Sequence, residues 1–133
     1  MALLPAKLDA KAIRLIDGKN FAFLATLMPD GSPQVTPVWF DVDDGYILIN
    51  TNEGRVKDRN MKARPKVAMT IQDPDDPYRY LGIRCEVVSY TREGADEHIN
   101  KLSLKYDNKP WSYREDQRRI IFRIRPTHIH EHD

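Results

Sequence analysis

Turn chemistry sets the spacing of this chain. PDGS at 29–32, DDG at 43–45 and DPDDP at 73–77 each gather residues that favour tight bends. The apolar stretches between them are short and read as strands: FAFLATLM over 21–28, PQVTPVWFDV over 33–42, YILIN over 46–50 and KVAMTIQ over 66–72. A longer strand, YRYLGIRCEVVSYT, follows over 78–91, with Gly82 as an expected bend or bulge. The sixth, RRIIFRIRPTHIHEH over 118–132, closes the chain and is expected to break near Pro126. Pro37 lies inside the second strand and removes a ladder donor. That calls for an edge, a bulge, or a neighbour other than a strand.

Helical patterns interrupt the strands. LDAKAIRLIDGKN over 8–20 predicts a short helix, capped by Asp9 and ended by Gly18, with Ala12, Ile13, Leu15 and Ile16 on a buried face. A second is expected over 55–64, stopped by Pro65. A third is expected over about 92–106, with Ala95, His98, Ile99, Leu102 and Leu104 as its apolar candidates, and DNKPWSYRED after it is a loop. Short strands, tight turns and inserted helices predict a mainly β chain, a closed antiparallel barrel of six strands forming one domain over residues 1–133. Six strands leave little room inside a barrel. A sizeable ligand would then sit outside it, most naturally in a dimer groove.

Composition narrows the function. With 133 residues, 41% hydrophobic and 31% charged, the chain can bury a core without staples. A net charge of +1 offers no broad field for nucleic acid. No apolar run is long enough to span a membrane, and MALLPAKLDA lacks a signal-peptide core, so the expected location is the cytoplasm. The single cysteine, Cys85, sits in an apolar run and reads as a reduced core residue.

Against that near-neutral background, INTNEGRVKDRNM over 49–61 packs Arg55, Lys57 and Arg59 just where a strand becomes a helix. Arg55 and Arg59 are one helical turn apart and share a face. Helix starts carry unpaired N–H groups and partial positive charge. Thr51, Asn52 and Gly54 add hydroxyl, amide and bare backbone. Two readings fit: a phosphate socket, or a solvated basic face paired with Glu53 and Asp58. The Walker pattern is absent.

Four motifs in order, LATLMPDGSPQVTPVWF, TNEGRVKDRN, RPKVAMTIQDPDDPYRY and the late KY…KPW, resemble the pyridoxamine-phosphate-oxidase-like split β-barrel family. Within it the chain is most similar to the flavin/deazaflavin oxidoreductases of the B group, over about residues 9–126. The resemblance implies an FMN-binding type of split barrel and an F420-dependent oxidoreductase that passes hydride between reduced deazaflavin and a small conjugated acceptor such as a quinone, tetrapyrrole or enone. FMN is the alternative cofactor; haem, which distant barrel relatives use, or no redox cofactor at all are the remaining options. It also implies a homodimer with cofactor sites across the interface. By motif, Arg55 and Lys57 would hold the cofactor phosphate with Asn50 and Thr51, and Asn60 would brace the turn. Gln34, Thr36 and Pro37 would lie along the ring with Val38 and Trp39 nearby, while Tyr78 and Tyr80 would reach the partner's site. Tyr80 and Trp111 are candidate substrate-pocket residues, and no catalytic residue is fixed. The C-terminal arginine-rich motif of true pyridoxamine phosphate oxidases is missing, which argues against that activity. The rival class is a flavin or deazaflavin carrier or store without turnover.

No Ser-His-Asp or Cys-His pattern stands out, and the acidic runs are turn-forming, as suits an enzyme whose cofactor does the chemistry. His128, His130 and His132 alternate and would share a strand face. Their terminal, charged setting argues against a metal site, and none is assigned. His98 is expected to pack or to face solvent.

Overall fold

The computed structural model describes residues 10–132, with side chains from residue 13 onward. The elements run α1 (Ala10–Asp17), β1 (Ala22–Leu27), β2 (Pro33–Val38), β3 (Asp41–Asp43), β4 (Tyr46–Asn52), α2 (Val56–Ala63), β5 (Lys66–Gln72), β6 (Tyr80–Thr91), α3 (Ala95–Asp107) and β7 (Arg119–His132). Asp9, the expected cap of α1, and the side chain of Ala12 lie outside the described residues. Leu15 and Ile16 of α1 are buried, and the Gly18 N–H closes the helix on the Arg14 carbonyl.

All strands of the described residues join one antiparallel sheet of seven, in the order β2-β1-β5-β6-β7-β4-β3. β2 and β3 are the two outer edges of that sheet, yet only Trp39 and Phe40 separate them in the chain. Three Cα–Cα steps reach about 11 Å. In a flat sheet of this order the edges would stand about 29 Å apart at the usual strand spacing. The sheet must therefore curl until its edges nearly meet. It closes without pairing β2 to β3, which makes it a split barrel.

The same crossing corrects the expected strand count. The predicted strand over 33–42 divides at Trp39–Phe40 into β2 and β3, giving seven strands instead of six. No turn residue marks the break. Phe40 is fully buried in the core and pulls the chain across the gap. Pro37 lies on an edge strand, where a missing donor costs little.

Two further expectations need correction. Gly82 is no bulge: it pairs in register with Thr70 and His130. The irregularities fall instead between Arg84 and Cys85 and between Val87 and Ser89. Nor does Pro126 break the last strand. β7 runs through it, because Thr127 is bulged out of the pairing and its hydroxyl donates to the Arg84 carbonyl (2.9 Å).

Inward positions of the strands, including Leu24, Ile47, Ile49, Ile71, Leu81 and Phe122, build one core with Phe40 from the β2–β3 crossing. α3 contributes Ile99 and Leu102 where it packs on β4 and β7. Cys85 is buried and its thiol is pushed up to about 12 by burial, so it stays protonated.

Candidate functional site

Strand β4 alternates strictly: Ile47, Ile49 and Thr51 point inward, and Tyr46, Leu48, Asn50 and Asn52 are half-buried. Thr51 is thus the one polar residue in an apolar series. The chain then bends at Gly54, whose φ of 94° favours glycine, although a side chain there would meet open space. Asp58 stabilises this bend by accepting the Gly54 N–H (2.9 Å), and Arg59 donates to the Gly54 carbonyl. Arg55 is the N-cap of α2, and no side chain caps the helix.

A cavity of about 240 Å³ opens here, at the split of the barrel. One side is cationic: Arg55 and Lys57 from α2 and Arg119 from the start of β7, with Asn50 and Thr51 beneath. The other side is flat and apolar: Phe21, Pro37, Val38, Trp39, Ile99 and Trp111. Trp39 stacks on Tyr106 (5.3 Å, 6°) and meets Trp111 edge-on (6.2 Å). The Tyr106 hydroxyl donates to the Asn20 carbonyl (2.8 Å) and accepts from the Phe40 N–H (3.4 Å), which fixes that stack at the β2–β3 crossing.

The cations repel one another. Burial, then the Arg55 and Arg119 guanidiniums, lower the Lys57 ammonium from its ordinary value. Burial and Arg55 draw Arg119 down to about 10, against an opposing pull from Asp96. Among the described residues, neither the Arg55 nor the Lys57 side chain has a hydrogen bond or ion pair. Beside them the Thr51 hydroxyl, 3% exposed, also lacks a partner. A buried hydroxyl is rarely left so, and an anion would satisfy it together with the exposed Arg55 and the half-buried Lys57. The reading of 55–59 as a solvated face paired with Glu53 and Asp58 fits less well, because those carboxylates engage Lys62.

Arg119 is held differently. Its Nε donates to Asn50 Oδ1 (2.9 Å), and its guanidinium lies over the Trp111 ring (5.1 Å). Asn50 Nδ2 in turn donates to the Ala95 carbonyl (2.9 Å) and meets His98 Nδ1 (3.2 Å). His98 Nε2 lies 3.4 Å from Asp41 Oδ2, and Lys101 donates to the same oxygen (3.1 Å). The His98 contact, then Lys101, hold the Asp41 carboxyl well below its usual range despite burial. His98 is therefore buried in a polar chain rather than packed apolarly or turned to solvent.

The cavity collects Pro37, Val38, Trp39, Asn50, Thr51, Arg55, Lys57 and Trp111 of the residues singled out in the sequence. Gln34 and Thr36 share the half-buried face of β2 outside that lining. Asn60 lies below the turn, donating to Thr26 Oγ1 (3.0 Å) and to Met28 Sδ (3.3 Å). Tyr78 is exposed, and Tyr80 stacks on His132 (5.0 Å) at the far end of the β6–β7 ribbon. His130 packs beside them, and among the described residues no group of three metal-binding side chains converges. Phe21, Ile99 and Arg119 were not foreseen. Strand alternation, which separates Arg119 from the exposed Arg118, is the signal that could have found the last of them.

Known proteins share this architecture. The profile of the pyridoxamine 5'-phosphate oxidase family matches residues 8–133. A solved F420 reductase is 34% identical with a TM-score of 0.83, over 92% of this chain and 98% of that one. An uncharacterized protein of Methanocaldococcus jannaschii is 31% identical over 113 residues, 78% of this chain and 72% of that protein. A conserved hypothetical protein of Mycobacterium tuberculosis has the same fold at 21% identity, with a TM-score of 0.73 over 100% of this chain and 89% of that one. Among the described residues no helix is long and apolar enough to cross a membrane.

Proposed function

Because the chain belongs to the pyridoxamine 5'-phosphate oxidase family, we propose that it is a flavin or deazaflavin oxidoreductase, and that its cofactor is F420. The observation that carries this reading is one cavity with two chemistries: cations without protein partners, Arg55 exposed and Lys57 half-buried, beside an orphaned buried hydroxyl, facing a wall of aromatic rings. A cofactor with a planar ring and an acidic tail matches both ends. FMN has the same two parts. The 34% identity to an F420 reductase favours the deazaflavin.

When bound, reduced F420 supplies a hydride to a small conjugated organic acceptor. In this reading Arg55, Lys57 and Arg119 neutralise the acidic tail and Thr51 donates its free hydroxyl to it. Pro37, Val38 and Trp39 back the ring, and Trp111 borders the acceptor's side. The apolar wall excludes water and orients the two reactants.

A cavity of about 240 Å³ is smaller than the roughly 300–1,000 Å³ usual for such ligands. A second copy completes the site in this proposal and brings Tyr78 and Tyr80 to it. The outer sheet face offers the contact surface, with Phe23 and Val35 41% and 63% exposed.

The test is fluorescence titration with F420 and with FMN, then turnover of reduced F420 against quinone and enone acceptors. Tight F420 binding with turnover is expected. Preference for FMN overturns the cofactor assignment, binding without turnover points to a carrier, and binding of neither overturns the proposal. Sedimentation showing a monomer with full cofactor affinity removes the shared site.

A further inference from the structure

The polar chain behind the cavity has a direction. Ala95 offers Asn50 a carbonyl, which only accepts, and Arg119 offers it a guanidinium N–H, which only donates. These two neighbours leave the Asn50 amide one orientation, with Nδ2 toward α3 and Oδ1 toward β7. Nδ2 then also faces His98 Nδ1, so that ring nitrogen must be the acceptor. The imidazole proton is left on Nε2, which lies 3.4 Å from Asp41 Oδ2, in electrostatic contact but not aligned as a hydrogen bond. Each member is set by the next, and the last link is the Nε–H of Arg119 at the cavity wall. A guanidinium so placed would otherwise be free to swing away from Arg55, which repels it.

We propose that Asp41, His98 and Asn50 form a positioning relay that fixes the Arg119 guanidinium at the cavity wall as a third cation for an acidic ligand tail. The ligand part rests on the cofactor reading above, whereas the relay itself does not. Asn50 and Thr51 are adjacent on β4, so one strand carries both the relay and the floor of the cationic pocket. The relay touches no reacting atom and acts only through Arg119.

The experiment uses the full chain, ¹⁵N NMR at neutral pH, and FMN as the probe ligand. The wild-type His98 ring should show the neutral Nε2–H form, and the Arg119 Nε–H should exchange slowly with solvent. His98→Leu removes the acceptor and should speed that exchange at least about tenfold and weaken FMN binding by about tenfold, the loss of one charge-assisted contact. His98→Asn places an amide oxygen near the Nδ1 position and should restore both. Asn50→Asp keeps the acceptor for Arg119 but can no longer donate to His98, so the ring should take a proton on Nδ1 while the Arg119 Nε–H stays slow. A wild-type ring protonated on Nδ1, or fast Arg119 exchange in the wild type, overturns the relay. So does His98→Leu with unchanged Arg119 exchange and FMN affinity. If FMN fails to bind the wild type while the ring form and the exchange pattern hold, the cofactor reading falls and the relay stands.

Discussion

Toward its C-terminal end, helix α2 ties its polar side chains into the chain. Asn60 donates to Thr26 Oγ1 (3.0 Å), and its Oδ1 accepts from Arg64 (3.1 Å), whose Nε donates to the Leu27 carbonyl (2.7 Å). Toward its N-terminal end the same helix presents Arg55 and Lys57, which have no such partners among the described residues. Lys57 and Arg64 are both half-buried, so burial alone does not explain the difference between them. A polar group whose role is to hold the fold is satisfied by the fold. A cluster left unsatisfied beside a cavity is one the fold keeps at some cost to itself, as the lowered Lys57 ammonium records.

Removing the tied end should hurt the fold most. Asn60→Ala orphans Thr26 and part of Arg64 in a site 2% exposed. We expect a loss of about 2–4 kcal/mol in denaturant unfolding, with cofactor affinity of the folded fraction unchanged. A large affinity loss at preserved stability would show that the tied end also belongs to the binding site.

The free end should behave in the opposite way. Lys57→Ala or Arg55→Ala should weaken F420 or FMN binding by about 1.5–3 kcal/mol, on the order of 10- to 150-fold. Stability without ligand should hold or rise, because each change relieves repulsion. Inorganic phosphate should raise the Tm of the wild type more than that of either variant. If both variants bind normally, the two ends of α2 do not differ in kind.

How much of this contrast the sequence carried depends on the range of the cause. Turn dipeptides, capping positions and strand alternation are local, and they located the strands, α2 and the basic cluster with it. The division at Trp39–Phe40 is not local. It exists because the sheet must close, and its mark is a buried Phe40 instead of a turn residue. Arg119 was hidden for a similar reason: it is one of two adjacent arginines sixty-odd residues from Lys57, and only the β4–β7 pairing brings it to the cavity. Asn60 was singled out only through the family motif, as a brace of the turn; its partners Thr26 and Met28 come from β1 and the turn after it, which no local pattern reveals.

Titration should separate the two classes by sign. Asp41 ionises more readily folded than unfolded, so its contribution is complete above pH 3.8, its ordinary value, and is lost as pH falls further. Lys57 gives up its proton more readily when folded, so stability should rise as pH climbs through its lowered value toward its ordinary 10.5. Unfolding free energy against pH checks both: Asp41→Asn should flatten the acid limb and Lys57→Met the alkaline one. If Lys57→Met leaves the alkaline limb unchanged, the ammonium is not under the strain assigned to it.

The smallest effect is the sharpest test of the orphaned hydroxyl. Thr51→Val keeps the shape of the side chain and suits a strand, but removes a buried hydroxyl that has no partner in the protein. A hydroxyl that serves the fold lowers stability when it is lost. One that waits for a ligand does the reverse, because its desolvation is uncompensated until the ligand arrives. We therefore expect Thr51→Val to stabilise the ligand-free protein by about 1 kcal/mol and to weaken cofactor binding by about 0.5–1.5 kcal/mol. Thr51→Ser, which keeps the hydroxyl and drops only the methyl, should retain most of the affinity while losing a little stability. The informative quantity is the sign of the two changes together, read from denaturant melts and cofactor titration on the same preparations. If Thr51→Val lowers ligand-free stability and leaves affinity untouched, Thr51 belongs with Asn60 among the groups that hold the fold, and the cationic pocket loses the hydroxyl donor assigned to it.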